Sequence, residues 1–548
     1  MPKRRLVIAA TALAAGVGLI PGMAQAQPAT PDPHRASVPD ADPTAAEASG
    51  TEVFRSPADR TVRTPAPAGK SRTVSAADSQ TPSVKLESWG TTAHGMFLYS
   101  TFKGVQGSLD VTISWGDGTT DTLTTTTEEP LQSLHSYAEV GEYTITLTAT
   151  DPASKTPITN KVAVRTKGSD FTPHTPLRLL DTRNGTGTGT EKGKVPANWS
   201  TSVKVTGQGT IPDNVTAVVL NLTVTNTTDS GHIIASGSGR PRPDTSSVNY
   251  AAGETVPNLV IMPVGRDGRV NLHNVGYGSV DLIADVTGYF TPTAASGYKA
   301  LSPTRFVDTR EGKGAVKGQV PGQSSFGVRI AGVGGVPKGA TAVSLNLTVT
   351  NPREAGHLTV HPSGQATPTA SNLNFTAGQT VANSVIVPIG PDGRITVRNG
   401  SWQPADVVID VNGYYTPDSN AAYVPNHPIP ARELDTRKDG KPLTARDYLH
   451  LLGRPGVEAY VLNTTVTNTT GSGFLSVAPD PNSSEQYENG TATPPARPVS
   501  SNVNWTAGKT AANLVQAPPA DGGTVAFWNQ GWESVDLIID YLGYYGTD

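Results

Sequence analysis

A strand-forming run with two internal aspartates and a glycine before two aromatics occurs three times. The copies are Asp281-Leu-Ile-Ala-Asp-Val-Thr-Gly-Tyr-Phe290, Asp406-Val-Val-Ile-Asp-Val-Asn-Gly-Tyr-Tyr415 and Asp536-Leu-Ile-Ile-Asp-Tyr-Leu-Gly-Tyr-Tyr545. Each closes a unit that opens on its own signature: Arg178-Leu-Leu-Asp-Thr-Arg183, Arg305-Phe-Val-Asp-Thr-Arg310 and Arg432-Glu-Leu-Asp-Thr-Arg437. The opening aspartates Asp181, Asp308 and Asp435 are spaced by 127 residues both times. A period this long is a whole domain copied in tandem, not a solenoid unit.

The units are expected at residues 175–292, 300–417 and 428–548, with polar connectors at Thr291 to Lys299 and Thr416 to Pro428. Within the first, Val218, Leu220, Leu222 and Val224 alternate with Val219, Asn221, Thr223 and Thr225, the period of a strand with one core-facing side. Gly (57) and Pro (45) are abundant and charged residues make up only 16% of the chain, which favours short strands and many turns over long helices. Seven or eight short antiparallel strands per unit predict a jelly-roll-like β-sandwich. There is no cysteine, so packing or bound ions must hold each domain.

Residues 1–26 read as an export signal: Lys3, Arg4 and Arg5 precede the apolar run Leu6 to Ile20, and Ala24-Gln25-Ala26 is a small-x-small cleavage site. Residues 27–82 are rich in Ala, Pro, Thr and Ser without apolar periodicity, the composition of a disordered linker. The net charge of −4 gives no electrostatic case for nucleic acid, and no later apolar run reaches spanning length. A secreted product without a membrane span is expected.

Between residues 83 and 167 the pattern changes. Leu109 to Trp115 and Tyr143 to Thr150 alternate as strands around the turn Gly116-Asp117-Gly118. With Trp115-Gly-Asp-Gly118, His135-Ser-Tyr137 and Gly141-Glu-Tyr143, this segment resembles the polycystic kidney disease (PKD) domain. That resemblance implies an immunoglobulin-like sandwich acting as a spacer or contact module of extracellular proteins. The three later units are similar to a repeat of secreted proteins from high-GC actinomycetes, which implies a Gram-positive bacterial origin and brings no activity with it. The expected fold is therefore all-β: a PKD-like sandwich followed by three tandem antiparallel sandwiches.

Two constellations could carry chemistry. Asp181 with Arg183, Asp308 with Arg310, and Asp435 with Arg437 share a strand face, as do Asp281 with Asp285, Asp406 with Asp410, and Asp536 with Asp540. Carboxylates in apolar strands need partners, and an Arg–Asp network joining the first and last strands is expected. Ca²⁺ is the ion such clusters would otherwise attract, although no compact ligand run occurs; no other metal or cofactor is expected. The second constellation precedes the closing strand: Tyr277, Trp402 and Trp532, each three residues after Asn274, Asn399 and Asn529. A ring to stack on a pyranose and an amide to bind hydroxyls are what a sugar-binding loop uses. His232 and His357 correspond, but Phe474 stands at the third position, so they read as turn-flanking histidines. The sequence thus predicts a non-enzymatic binding or adhesion protein for cell-wall or extracellular polysaccharide. A purely structural surface spacer and a glycan-active hydrolase using the strand carboxylates are the alternatives.

Overall fold

The computed structural model describes residues 42–48, 50–57, 82–105, 107–150, 155, 157–188, 192–427, 429–453 and 456–548. The export signal and most of the 27–82 segment lie outside these residues. The chain is nearly all β and divides into two compact units between Lys167 and Gly168.

The first unit is an immunoglobulin-like sandwich. One sheet runs Phe54–Arg55, Ser83–Gly90, Gly95–Lys103, Leu131–Ser136; the other runs Thr120–Thr126, Ser108–Ser114, Glu142–Thr150, Pro157–Arg165. Leu86, Met96, Leu98, Val111, Ile113, Ile145 and Leu147 fill the space between them, with Trp115 fully buried. The Trp115 indole donates to Asp121 Oδ2 at 2.8 Å, and its ring stacks on His135, which pairs with Asp117 at 2.8 Å.

The linker reading is corrected for part of its span. Pro43–Ala48 is a short helix and Phe54–Arg55 a strand that pairs with Ser88 and Glu87. Its order comes from the domain, not from its own composition. Ser56 Oγ accepts from Leu86 N at 3.0 Å and from Asn160 Nδ2 at 3.0 Å, and Arg55 is paired to both Glu47 and Glu87.

The second unit contains the three repeats, each made of two sheets, all four-stranded except one sheet of the third repeat, which has five strands. In the first repeat the strands in chain order are Asp170–Asp181, Ser200–Lys204, Ala217–Thr225, Gly231–Gly237, Val248–Tyr250, Val256–Pro263, Arg269–Gly276 and Asp281–Thr291. One sheet has the order first, eighth, third, sixth, and the other second, seventh, fourth, fifth. This is the double Greek key of a jelly roll, and the other repeats reproduce it, the third with its first strand split into Ala422–Pro425 and Ala431–Asp435.

Each sheet of first, eighth, third and sixth strands has two buried faces. All nine residues of Ala217–Thr225 and of Ala342–Thr350 are buried, so the expected single core side is corrected. One face meets its own sandwich; the other meets the neighbouring repeats, where Ala217, Val219, Leu259 and Ile261 join Ala342, Ile386, Ala459, Val461 and Leu514 in one cluster. The sandwiches are therefore not beads on a string. They close into a ring of approximate threefold symmetry in which a backbone, an aromatic and an amide contact recur at each junction.

Two layers along the axis hold the ring. At one end the strand starts hand on hydrogen bonds in a cycle: Phe171 N to Ser296 O, Tyr298 N to Ala421 O, and Tyr423 N to Ser169 O, all at 2.9 Å. The rings of Phe171, Phe290, Tyr298, Tyr415, Tyr423 and Tyr545 form the hub, each at most 1% exposed. Here too the contacts cycle: Phe171 lies 4.1 Å from Tyr415, Tyr298 4.4 Å from Tyr545, and Tyr423 4.8 Å from Phe290, centroid to centroid. Tyr298 and Tyr423 fall in stretches read as polar connectors, and Phe171 precedes the expected start of the first repeat. All three belong to first strands, so the boundaries move outward to include them. The glycine of the closing motif is required at this layer: a Cβ on Gly288 would lie 2.2 Å from the Phe171 ring, and one on Gly413 2.2 Å from the Tyr298 hydroxyl.

Midway along the axis lies a layer of buried amides. Asn383 Nδ2 donates to Asn221 Oδ1 at 3.1 Å, Asn513 Nδ2 to Asn346 Oδ1 at 2.9 Å, and Asn258 Nδ2 to Asn463 Oδ1 at 2.9 Å. Each of these donors gives its other proton to a carbonyl of its own repeat, and its Oδ1 accepts a backbone N–H from the next, Leu259, Ser384 or Leu514. Both amide protons and the oxygen of Asn258, Asn383 and Asn513 are thus engaged, which is what lets these amides sit in an apolar interface.

Candidate functional site

The end of the ring opposite the hub is built of loops. The turn after each third strand begins on Asn226, Asn351 or Asn468 in the left-handed region, with φ of 50°, 51° and 53°. In the first repeat this turn touches both neighbouring loops: Tyr277 N donates to Ser230 O at 3.3 Å, and Gly253 N to Thr227 O at 3.0 Å. The aromatic loop and the loop after the fifth strand therefore share one end of the sandwich, and by the threefold arrangement one end of the ring.

Tyr277 is 85% exposed and Trp402 and Trp532 are each 77% exposed. Large rings left in water at the same place in each repeat are a recurrent feature of the surface, not scattered accidents of composition. Trp199, 67% exposed, lies on the loop next to the strand that leads to Tyr277, and sequence reasoning missed it. Its loop is clamped to the same strand by Asn198 N to Asn274 O at 2.8 Å and Asn274 N to Trp199 O at 2.9 Å. The only sequence signal was a tryptophan in a polar Gly/Pro-flanked loop, without a counterpart in the other copies. In the third repeat the guanidinium of Arg446 lies 4.9 Å from the centre of the Trp532 ring.

The expected amide ligands are corrected. Asn274, Asn399 and Asn529 are fully buried. Asn274 Nδ2 donates to Val195 O, Pro196 O and Gly278 O at 2.9–3.1 Å, and Asn399 and Asn529 repeat the pattern on Val320, Pro321 and Gln403, and on Leu443, Thr444 and Glu533. Their oxygens are taken by Tyr250 Oη, Ser401 N and Gly531 N. A side chain so placed shapes the loop from within, holding the ring outward, and has nothing left for a sugar.

The buried carboxylates form ion-pair clusters with partly exposed arginines, and their wiring differs from expectation. Arg183 folds back on its own strand, giving Nε and Nη2 to Asp181 at 2.9 and 2.7 Å. The link to the closing strand comes from Arg178, with Nε 2.9 Å and Nη2 3.1 Å from the two Asp285 oxygens and Nη1 3.2 Å from Asp181. Arg305 does the same between Asp308 and Asp410, and Arg432 between Asp435 and Asp540, while Arg310 and Arg437 bind Asp308 and Asp435. Arg178, Arg305 and Arg432 stood three residues before each Asp in the opening motif, the signal that could have found them. The first closing aspartates take other donors: Asp281 accepts from Thr182 Oγ1 at 2.7 Å and Asn226 Nδ2 at 2.8 Å, and Asp406 and Asp536 match it with Thr309 and Asn351, and Thr436 and Asn468.

The environments split these acids. Hydrogen bonds from Arg183, Arg310 and Arg437 hold Asp181, Asp308 and Asp435 below the ordinary carboxylate range, whereas burial pushes Asp285, Asp410 and Asp540 up despite their arginines. Asp285, Asp410 and Asp540 are at most 2% exposed. Among the described residues no group of three or more His, Asp or Glu is placed to hold a metal ion, and no helix is long and apolar enough to cross a membrane. His232 and His357 lie half-buried at the start of fourth strands, opposite Asn249 and Asn374, with burial lowering their pKa values.

A cavity of about 650 Å³ opens on the axis at this same loop end. Its wall comes from the fifth strands and the loops after them in all three repeats, including Asn249, Asn374 and Asn504, Phe375 and Trp505, and Glu254, Gln379 and Lys509.

Residues 99–164 match the family model of the PKD domain. A search of curated proteins finds no match. Among solved structures, a "SusE-like protein BT2857" aligns over 38% of this chain and 97% of its own at 10% identity, with a TM-score of 0.13. A structure of Sulfolobus turreted icosahedral virus aligns over 68% of this chain and 97% of its own at 10% identity and a TM-score of 0.16. A triple jelly roll from the turret of an archaeal virus aligns over 69% and 91% at 11% identity and a TM-score of 0.14.

Proposed function

We propose that the chain is a secreted, non-enzymatic adhesion protein whose ring of repeats grips cell-wall or extracellular polysaccharide through its loop end. The observation that carries this reading is the exposure of Tyr277, Trp402 and Trp532 at one place in each repeat, on turns braced from inside by Asn274, Asn399 and Asn529. A rigidly presented ring stacks on a sugar face at little entropic cost. Three weak sites on one rigid body raise retention on a polymer well beyond that of any single site. The PKD-like sandwich accords with an extracellular setting. The burial of Asp285, Asp410 and Asp540 behind arginine forks favours binding over glycoside hydrolysis, which needs carboxyls open to the glycosidic bond.

Retention of the full mature chain on chitin, cellulose and isolated bacterial cell wall tests the reading. Single Tyr277→Ala, Trp402→Ala and Trp532→Ala variants should each weaken retention, and the triple variant should lose it. Failure of the wild type to bind any of the three, or a triple variant retained as well as wild type, would leave the ring as a structural spacer.

A further inference from the structure

We infer that the third ring site, at Trp532, takes an acidic sugar, with Arg446 gripping its carboxylate or phosphate. The inference deepens the polysaccharide reading and rests on it for Trp532 as a sugar platform. In each repeat the loop clamped to the strand before the ring has one residue in the left-handed region: Asn198, Gln323 and Arg446, with φ of 61°, 56° and 58°. The carbonyl of the next residue, Trp199, Ser324 or Asp447, accepts the backbone N–H of Asn274, Asn399 or Asn529 at 2.9 Å, so the three positions are equivalent. A neutral amide occupies the first two. The third carries a guanidinium, 4.9 Å from the centre of the 77% exposed Trp532 ring.

That guanidinium is held at one end and open at the other. Arg446 Nη1 donates to the Gln530 carbonyl at 2.8 Å, and Arg497 Nη2 donates to the Arg446 carbonyl. Arg497 belongs to residues 480–502, which join Gly473–Pro479 to Val503–Trp505 where residues 238–247 and 363–372 suffice in the other repeats, and it lies 4.9 Å from the centre of the Trp528 ring. The Nε–Nη2 edge of Arg446 meets no acceptor among the described residues. In Arg178, Arg183, Arg305, Arg310, Arg432 and Arg437 the same edge grips an aspartate. The two neighbouring acids do not fill it: Asp447 accepts from Tyr448 N at 2.8 Å and Thr444 Oγ1 at 3.0 Å, and the Glu533 side chain lies against Gly471. The planar fork matches two oxygens of one anion. An exposed guanidinium alone gives an ion little. Set beside a ring that takes the C–H face of a sugar, it selects the sugar that carries the charge.

The test is retention of the full chain on immobilised polygalacturonate, on its fully methyl-esterified form and on poly(ribitol phosphate). Wild type should bind at least one polyanion about tenfold more tightly than the ester, and the polyanion preferred identifies carboxylate or phosphate as the group gripped. The net charge of −4 opposes bulk attraction to a polyanion, so such a preference reports a local site. Arg446→Gln, which installs the residue type that Gln323 places at this position in the second repeat, should reduce the preference to less than about twofold. Arg446→Lys, which keeps the charge without the fork, should recover less than about half of it. The Tyr277→Ala/Trp402→Ala variant should bind every polymer more weakly and still prefer the acid. A wild type that is retained on the ester, chitin or cellulose without preferring either polyanion overturns this inference and leaves the polysaccharide reading standing, as does a preference that survives Arg446→Gln. A wild type retained on no polymer overturns both.

Discussion

Asn258 and Asn463 stand 205 residues apart in the chain, yet Nδ2 of the first lies 2.9 Å from Oδ1 of the second, inside the junction that closes the ring. Removing Asn258 strands that oxygen, the Ser247 carbonyl and the Leu514 amide together. At ~1–3 kcal/mol for each buried group left unpaired, Asn258→Ala should cost several kcal/mol even after relaxation. Because the ring shares one interior, hydrogen exchange should show protection lost in all three repeats at once. Loss confined to residues 168–292 would contradict the shared interior.

Gly288 faces the Phe171 ring so closely that a methyl group cannot be placed without moving it. Gly288→Ala should destabilise the second unit by ~1–3 kcal/mol, the usual cost of overpacking. Phe171→Leu in the same chain should recover part of the loss in a denaturant titration. If the double variant is worse than the sum of the singles, the ring is not the obstacle.

Arg178→Met would leave Asp285 buried without its partner, a change worth ~3–5 kcal/mol at neutral pH. The sign of its pH dependence follows from the upward shift of Asp285. A carboxyl whose folded pKa is raised favours the fold below its unfolded pKa near ~3.9 and loses that advantage as pH rises through the folded value. The variant's deficit in Tm should therefore shrink between pH 7 and pH 4, and Asp285→Asn should restore much of it at pH 7. Asp181, Asp308 and Asp435, held down by arginine, act oppositely: their contribution is present above the ordinary carboxylate range and is lost as pH falls through their folded values. A wild-type Tm that does not fall below pH 4 would argue against that trio.

In the first unit, removal of residues 1–41 should leave the unfolding transition of the sandwich unchanged, while removal of residues 1–57 should lower it. The second deletion strips Ser56 from the buried Leu86 amide and Asn160 side chain, and Arg55 from Glu87. Equal melting of both truncated chains would return the whole segment to the role of linker.

The sandwiches were legible because their strands carry a period of two and their turns carry glycine, proline and asparagine, signals confined to a few neighbouring residues. The assembly was not, because its signals are shared between residues more than a hundred positions apart. Val219, Asn221 and Thr223 alternate with apolar neighbours just as a solvent-facing row does, and only the opposing Asn383 reveals an interface. Tyr298 is a lone aromatic in a polar stretch, indistinguishable from a connector until five other rings surround it. In the loop end, the rings stood out by recurrence, and so did the asparagines, but recurrence says nothing of direction. The strand geometry turns Trp402 outward and Asn399 inward, three residues apart. The axial cavity had no sequence signature, since no repeat contains enough of it.

The cyclic hand-over of strand starts from Ser169 through Ser296 and Ala421 back to the beginning has an evolutionary corollary. Tandem duplications ordinarily drift in copy number, because an open array accepts one more member at little structural expense. A closed triangle has no free end to extend and no vacancy to lose, so gene-level gain or loss of a repeat should be purged. Joining the members in one polypeptide has the converse effect on their sequences. Freed from the identity that separate subunits impose, each vertex can carry its own residue, as the differing Glu254, Gln379 and Lys509 do.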